Sequence, residues 1–134
     1  RILRSQQLTF VDAFQQNGFL FIHGHRLPED YAGFKEWLPY QTIVIGHVHP
    51  AISIRDEIGV RQKYRCALQG RCRGKNVVVL PSLSPLAGGF DVTKSDADDE
   101  YVSPILERCG VGDFTPIIID PEAGVKEFPK VRYL

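Results

Sequence analysis

All four histidines of this chain fall between Phe21 and Pro50, as two His-x-His pairs, each just after a short apolar run: "FLFIHGH" and "TIVIGHVHP". On a helix, residues two apart point roughly 200° away from each other, so paired imidazoles could not converge. On a strand they share a face, about 6.6 Å apart at Cα. "GFLFI" and "TIVIG" read as buried strands, and the segment between them, "PEDYAGFKEWL", reads as a short helix opened by Pro28, Glu29 and Asp30. Strand, helix and strand in succession imply a parallel sheet. His23, His25, His47 and His49 therefore sit where open α/β sheets keep their sites, beyond the carboxyl ends of central strands. Gly24 and Gly46 permit tight turns beside the imidazoles, and Pro50 stops ladder bonding after His49.

The surrounding segments set the rest of the fold class. "SQQLTFVDAFQQNG" has apolar residues at Leu8, Val11 and Phe14, a helical spacing, with Asn17-Gly18 as its stop. The expected order is thus helix, strand, helix, strand. Beyond Pro50 the pattern becomes antiparallel. "AISIRDEIGVRQKYRCALQG" alternates around a turn at Gly59. "RGKNVVVLP" turns at Gly74-Lys75. "TPIIID" and "KEFPKVRYL" flank a hairpin signal at Glu122-Ala123-Gly124. "DVTKSDADDEYVSP" reads as an acidic surface loop, and Trp37 and the phenylalanines as core. The 134 residues suit a single domain, 1–134, of α/β class, with parallel strands followed by antiparallel hairpins.

Composition excludes little else. Sixteen basic and sixteen acidic residues give no net charge to steer a partner. No apolar run approaches the roughly 20 residues of a membrane helix. Cys66, Cys72 and Cys109 lack the Cys-x-x-Cys spacing of a structural zinc site. They suggest a reduced, cytoplasmic protein, although Cys66 and Cys72 could pair across a hairpin. Arg55 to Lys75 holds seven basic and two acidic residues. That stretch reads as the solvated side of a hairpin, because Arg61, Lys63 and Arg65 share one face; the other reading is a phosphate-contacting face.

Imidazole is the commonest metal ligand, and paired imidazoles at adjacent strand ends suit a transition metal. The spacing does not fit a cupin, which wants a glutamate soon after the second histidine, nor a metallo-β-lactamase, which wants His-x-His-x-Asp-His. The motifs "FIHGH" and "GHVHP", with "VVVLPSLSPLAGGFDV" downstream, resemble the calcineurin-like metallophosphoesterase superfamily. The resemblance is to the archaeal and bacterial branch related to DNA-repair nucleases and DNA-ligase-associated phosphoesterases, and it covers about Phe19 to Leu134.

The resemblance implies an αββα sandwich and hydrolysis of phosphoesters by two divalent ions, manganese first, with iron, zinc, nickel or cobalt as alternatives. It implies that His23 and His47 bind one ion and His49 the other. His25 occupies a variable position and is read as facing the substrate, the catalytic candidate of the set. Gly88 and Gly89 lie in a turn beside the metals, close to substrate. The implied partners are a phosphoester substrate such as a nucleic acid or nucleotide, with no membrane; homo-oligomerisation is left open. The family also needs Asp-x-His, a bridging aspartate in Gly-Asp, and Gly-Asn-His-Asp. None of these stands in the 22 residues before His23. The chain is therefore expected to be the C-terminal part of such a domain, its N-terminal half being a further partner, and to be inactive alone. Imidazoles supply no negative charge to hold two divalent cations a few ångströms apart. The rival readings are a catalytically inactive metal-binding or interaction module that keeps the fold, and a single-site metal protein unrelated to phosphate.

Overall fold

A computed structural model describes residues 9–33, 35, 39–84, 86–94 and 103–134. The described residues are of mixed α/β class, mostly strand with one α-helix. Strands β1 (Ala13–Gln16), β2 (Phe19–Ile22), β3 (Thr42–Ile45), β4 (Pro50–Arg55), β5 (Arg61–Arg65), β6 (Ala67–Cys72), β7 (Lys75–Val79), β8 (Phe90–Asp91), β9 (Thr115–Asp120) and β10 (Gly124–Glu127) accompany helix α1 (Pro104–Cys109). They form a seven-stranded sheet in the order β1-β2-β3-β7-β6-β9-β10 and a three-stranded sheet in the order β5-β4-β8.

The two apolar runs are strands, and they are parallel. Leu20 pairs with Ile43, and Ile22 with Ile45; β3 in turn pairs in parallel with β7. The sheet becomes antiparallel from β7 through β6 to β9 and β10. The hairpins expected at Gly59, Gly74 and Gly124 are all formed.

Three local expectations are corrected. The stretch before Asn17 contains a strand at Ala13–Gln16, antiparallel to β2. Asn17 and Gly18 both adopt positive φ, at 51° and 80°. Two such residues make the tight turn of a β-hairpin, which outweighs the helical spacing of Leu8, Val11 and Phe14. Residues 1–8 of that stretch lie outside the description. The helix expected after Pro28 is a single 3-10 turn, Pro28–Asp30, with residues 34 and 36–38, Trp37 included, outside the description. Cys72 is bonded to Cys109, not to Cys66, which is a free buried thiol. The acidic run at 95–100 also lies outside the description.

One buried cluster joins both sheets and α1, with Leu20, Ile45, Val79, Ile52, Leu106 and Phe114 among its members. Phe114 is fully buried, and a Cβ at Gly70 would lie 2.6 Å from its ring, so only glycine admits that packing. Phe10, Phe14, Phe19 and Phe21 are exposed instead of core. Strand alternation explains the last two: Leu20 and Ile22 face the core, so Phe19 and Phe21 face away. No helix among the described residues is long and apolar enough to cross a membrane.

Candidate metal centre

Parallel pairing of β2 and β3 in register brings the two His-x-His segments side by side where the strands end. Neither segment is itself a strand. His23 follows β2, and His25 lies in the bend after it. His47 and His49 take left-handed backbone conformations, φ 58° and 50°, with buried Val48 between them. Non-glycine residues adopt such angles at a cost of order 1–3 kcal/mol, and they concentrate at functional sites. A turn rather than a strand pleat thus sets the direction of each imidazole.

The rings of His23, His25 and His47 form one cluster. Their centroids are 5.0 Å apart for His23 and His25, 4.5 Å for His23 and His47, and 6.1 Å for His25 and His47. The Nδ1 atoms of His23 and His25 face each other at 3.0 Å. That is a hydrogen bond, one ring donating and the other accepting, and it is somewhat shorter than the roughly 3.3 Å between two nitrogens on one tetrahedral zinc. Partial desolvation lowers the pKa of the exposed His23 imidazole, and the like charges of His47, His25 and His49 lower it further. The neutral ring is the form that binds metal.

His49 is exposed, and its clearest contacts are through the backbone: its carbonyl accepts the Phe90 N–H at 2.8 Å. Gly89 lies against this segment. At φ 72°, a Cβ there would come within 3.1 Å of the His49 carbonyl oxygen and 3.0 Å of the Ala51 Cβ. Gly88 is exposed, near the Lys63 ammonium. Lys63 donates to the Gly89 carbonyl at 3.2 Å and Arg65 to the Ser84 carbonyl at 2.8 Å. Two cations of the exposed strand β5 therefore bond to backbone carbonyls at Ser84 and at Gly89, the latter packed against the His49 carbonyl.

Sequence reasoning missed three residues that shape this site. Tyr31 is buried, and its hydroxyl accepts the Gly24 N–H at 3.4 Å. Ser103, fully buried, donates to the Gly24 carbonyl at 2.7 Å. Asp12 lies in the hairpin register opposite His23, because Ala13 pairs with Ile22. Asp12, His23, His25 and Tyr31 line a cleft of about 340 Å³. The Asn17-Gly18 turn was the signal for Asp12, had it been read as a hairpin. Tyr31 and Ser103 are tertiary contacts with no local signature. A second cavity, about 410 Å³, is lined by Leu27, Tyr40, Val77 and the disulfide among others, and no histidine lines it.

Among the described residues, no group of three or more His, Cys, Asp or Glu side chains is arranged to hold a metal ion. What suits a metal here is the donor chemistry of the imidazoles. Comparison with family models, curated proteins and solved structures gave no match.

Proposed function

We propose that this chain supplies the histidine half of a divalent-metal centre for phosphoester hydrolysis, carried on a calcineurin-like αββα sandwich. The observation that supports this most is the convergence of His23, His25 and His47 just beyond two parallel central strands. His23 and His47 would hold an ion, manganese by preference and iron, zinc, nickel or cobalt otherwise. His49 would serve a second ion, and His25 would ligate or meet substrate. A bound divalent ion would polarise phosphoryl oxygens and lower the pKa of water. The chain's own contribution is to lower the pKa of His23, to fix the loop at Gly24 through Tyr31 and Ser103, and to seat Gly89 against His49. The substrate class is a phosphodiester, in a nucleic acid or nucleotide. A cytoplasmic setting belongs to this reading, and there the thiol pool works against the Cys72–Cys109 bond.

The test is hydrolysis of bis-p-nitrophenyl phosphate with added manganese, by the chain together with any upstream half. His47→Ala should abolish turnover while circular dichroism stays unchanged. Near-normal turnover in His47→Ala rejects the proposal. A second reading, a metal-binding or interaction module without turnover, is favoured by one observation, the lack of a finished ligand set among the described residues. Metal binding without hydrolysis in the two-part protein would select it.

A further inference from the structure

Arg26 follows His25 directly, and its guanidinium carbon lies 4.4 Å from the centre of the Tyr31 ring. The same ring lies 6.2 Å from the His25 ring. Tyr31 is buried and anchored at its hydroxyl by Gly24, so it is a fixed platform shared by Arg26 and His25. The polar contacts of Arg26 are poor by comparison. Its nearest carboxylate oxygen, on Asp12, is 4.0 Å from Nη2, beyond hydrogen-bond reach. The Asp12 side chain is 88% exposed, so water weakens that attraction further. Among the described residues, Arg26 Nε is the one buried side-chain nitrogen or oxygen without a hydrogen-bond partner. Native structures rarely leave such a donor unmade, because its desolvation is not repaid.

An arginine held by stacking, with its inner nitrogen orphaned and its outer nitrogen loosely paired, breaks no hydrogen bond when it swings to an acceptor. Its planar fork of donors fits two oxygens of a tetrahedral oxyanion. The side chain remains 40% exposed, so an incoming ligand can reach its outer nitrogens. We infer that Arg26 is the oxyanion-binding residue of the histidine site, gripping a phosphoryl group presented beside His25, with Asp12 as the competing internal anion. The placement beside substrate rests on the hydrolase reading above; the binding of the anion does not.

The experiment titrates inorganic phosphate into the metal-free chain, with chelator present, and follows the Arg side-chain Nε–H and His25 ring signals by NMR. A saturable shift at Arg26 is expected. Arg26→Ala should weaken phosphate by about tenfold, the worth of one charged hydrogen bond, and Arg26→Lys by less. Asp12→Asn should tighten it, because the competitor is gone. Equal phosphate affinity in wild type and Arg26→Ala, or no saturable shift in wild type, overturns the inference. In the two-part protein, Arg26→Ala should raise KM for the diester. If His47→Ala abolishes hydrolysis while Arg26→Ala changes neither KM nor phosphate affinity, this inference alone fails. If phosphate binding depends on Arg26 but hydrolysis survives His47→Ala, the hydrolase reading alone fails.

Discussion

The Ser103 hydroxyl donates to the Gly24 carbonyl at 2.7 Å, joining the glycine between two histidines to a residue 79 positions later. Both partners are buried. Gly24 is fixed on its other sides as well, since its N–H meets Tyr31 and a Cβ there would lie 3.0 Å from the Ile45 Cβ, at a φ of 99°. The first His-x-His segment is thus clamped from three directions. Ser103→Ala leaves a buried carbonyl unpaired and should cost about 1–3 kcal/mol, read as a lower urea midpoint. It should also weaken manganese binding, because the His23–His25 spacing loosens. An unchanged midpoint would show that the clamp carries no stability.

Which imidazoles hold an ion is decided by calorimetry on single variants. The sequence motifs put His49 in the ligand set and His25 outside it. The rings of His25, His23 and His47 nevertheless cluster, whereas the His49 carbonyl is tied to the Phe90 N–H on the neighbouring sheet. Removing His25 should therefore weaken manganese at this chain by about tenfold or more, and removing His49 by less. This chain alone should take at most about one equivalent, with binding lost as pH falls, because a protonated imidazole cannot ligate. The lowered pKa of His23 means that its own protonation comes late in that fall. A larger loss in His49→Ala than in His25→Ala reverses the ranking.

Hydrophobic patterning made the central strands legible. "FLFI" and "TIVI" are the strands Phe19–Ile22 and Thr42–Ile45, parallel and adjacent, because a run of four β-formers buried in a sheet has few other solutions. The antiparallel half was legible from its turn residues, each of which fixes a backbone angle locally. The first hairpin was misread because Leu8, Val11 and Phe14 satisfy a helical period, whereas Asn17-Gly18 demands a two-residue turn, and the turn prevailed. The histidine positions beyond the strand ends were legible; their directions were not. Two left-handed residues flanking Val48 set those directions, and no spacing rule foretells a left-handed histidine. Cys72 and Cys109 are 37 residues apart, and only the tertiary fold brings their Cα atoms to 5.2 Å.

Asp91 gives the fold a defined acid sensitivity. Burial alone would raise its pKa, but hydrogen bonds from the Ser53 hydroxyl and from the Thr93 hydroxyl and N–H outweigh that and lower it. A carboxyl whose folded pKa lies below its unfolded value of about 3.9 adds stability above that pH and loses it as pH falls through the folded value. Asp91→Asn should therefore lower the urea midpoint at pH 7. The gap to wild type should narrow at pH 3. A gap of constant size would mean that the carboxylate's charge is not what Ser53 and Thr93 recognise.

The cysteines differ in reactivity for reasons that one thiol assay can separate. The Cys72–Cys109 bond ties the end of β6 to the end of α1 across 37 residues. Closing a loop of that length removes chain entropy worth about 4 kcal/mol from the unfolded state. Cys66 is 1% exposed, and burial, then the nearby Asp91 charge, pushes its thiol up to about 12. At pH 8 its thiolate fraction is then roughly one in ten thousand, and the thiolate is the reactive form. Folded protein kept free of reductant should give no fast reaction with Ellman's reagent. Unfolding in guanidinium should release one thiol, and unfolding with prior reduction three. Cys72→Ser paired with Cys109→Ser should lower the urea midpoint by the equivalent of up to about 4 kcal/mol while Cys66 stays silent in the folded state. Two rapidly reacting thiols in folded, unreduced protein would mean that Cys72 and Cys109 are held as a dithiol, and one would mean that Cys66 is reached by solvent.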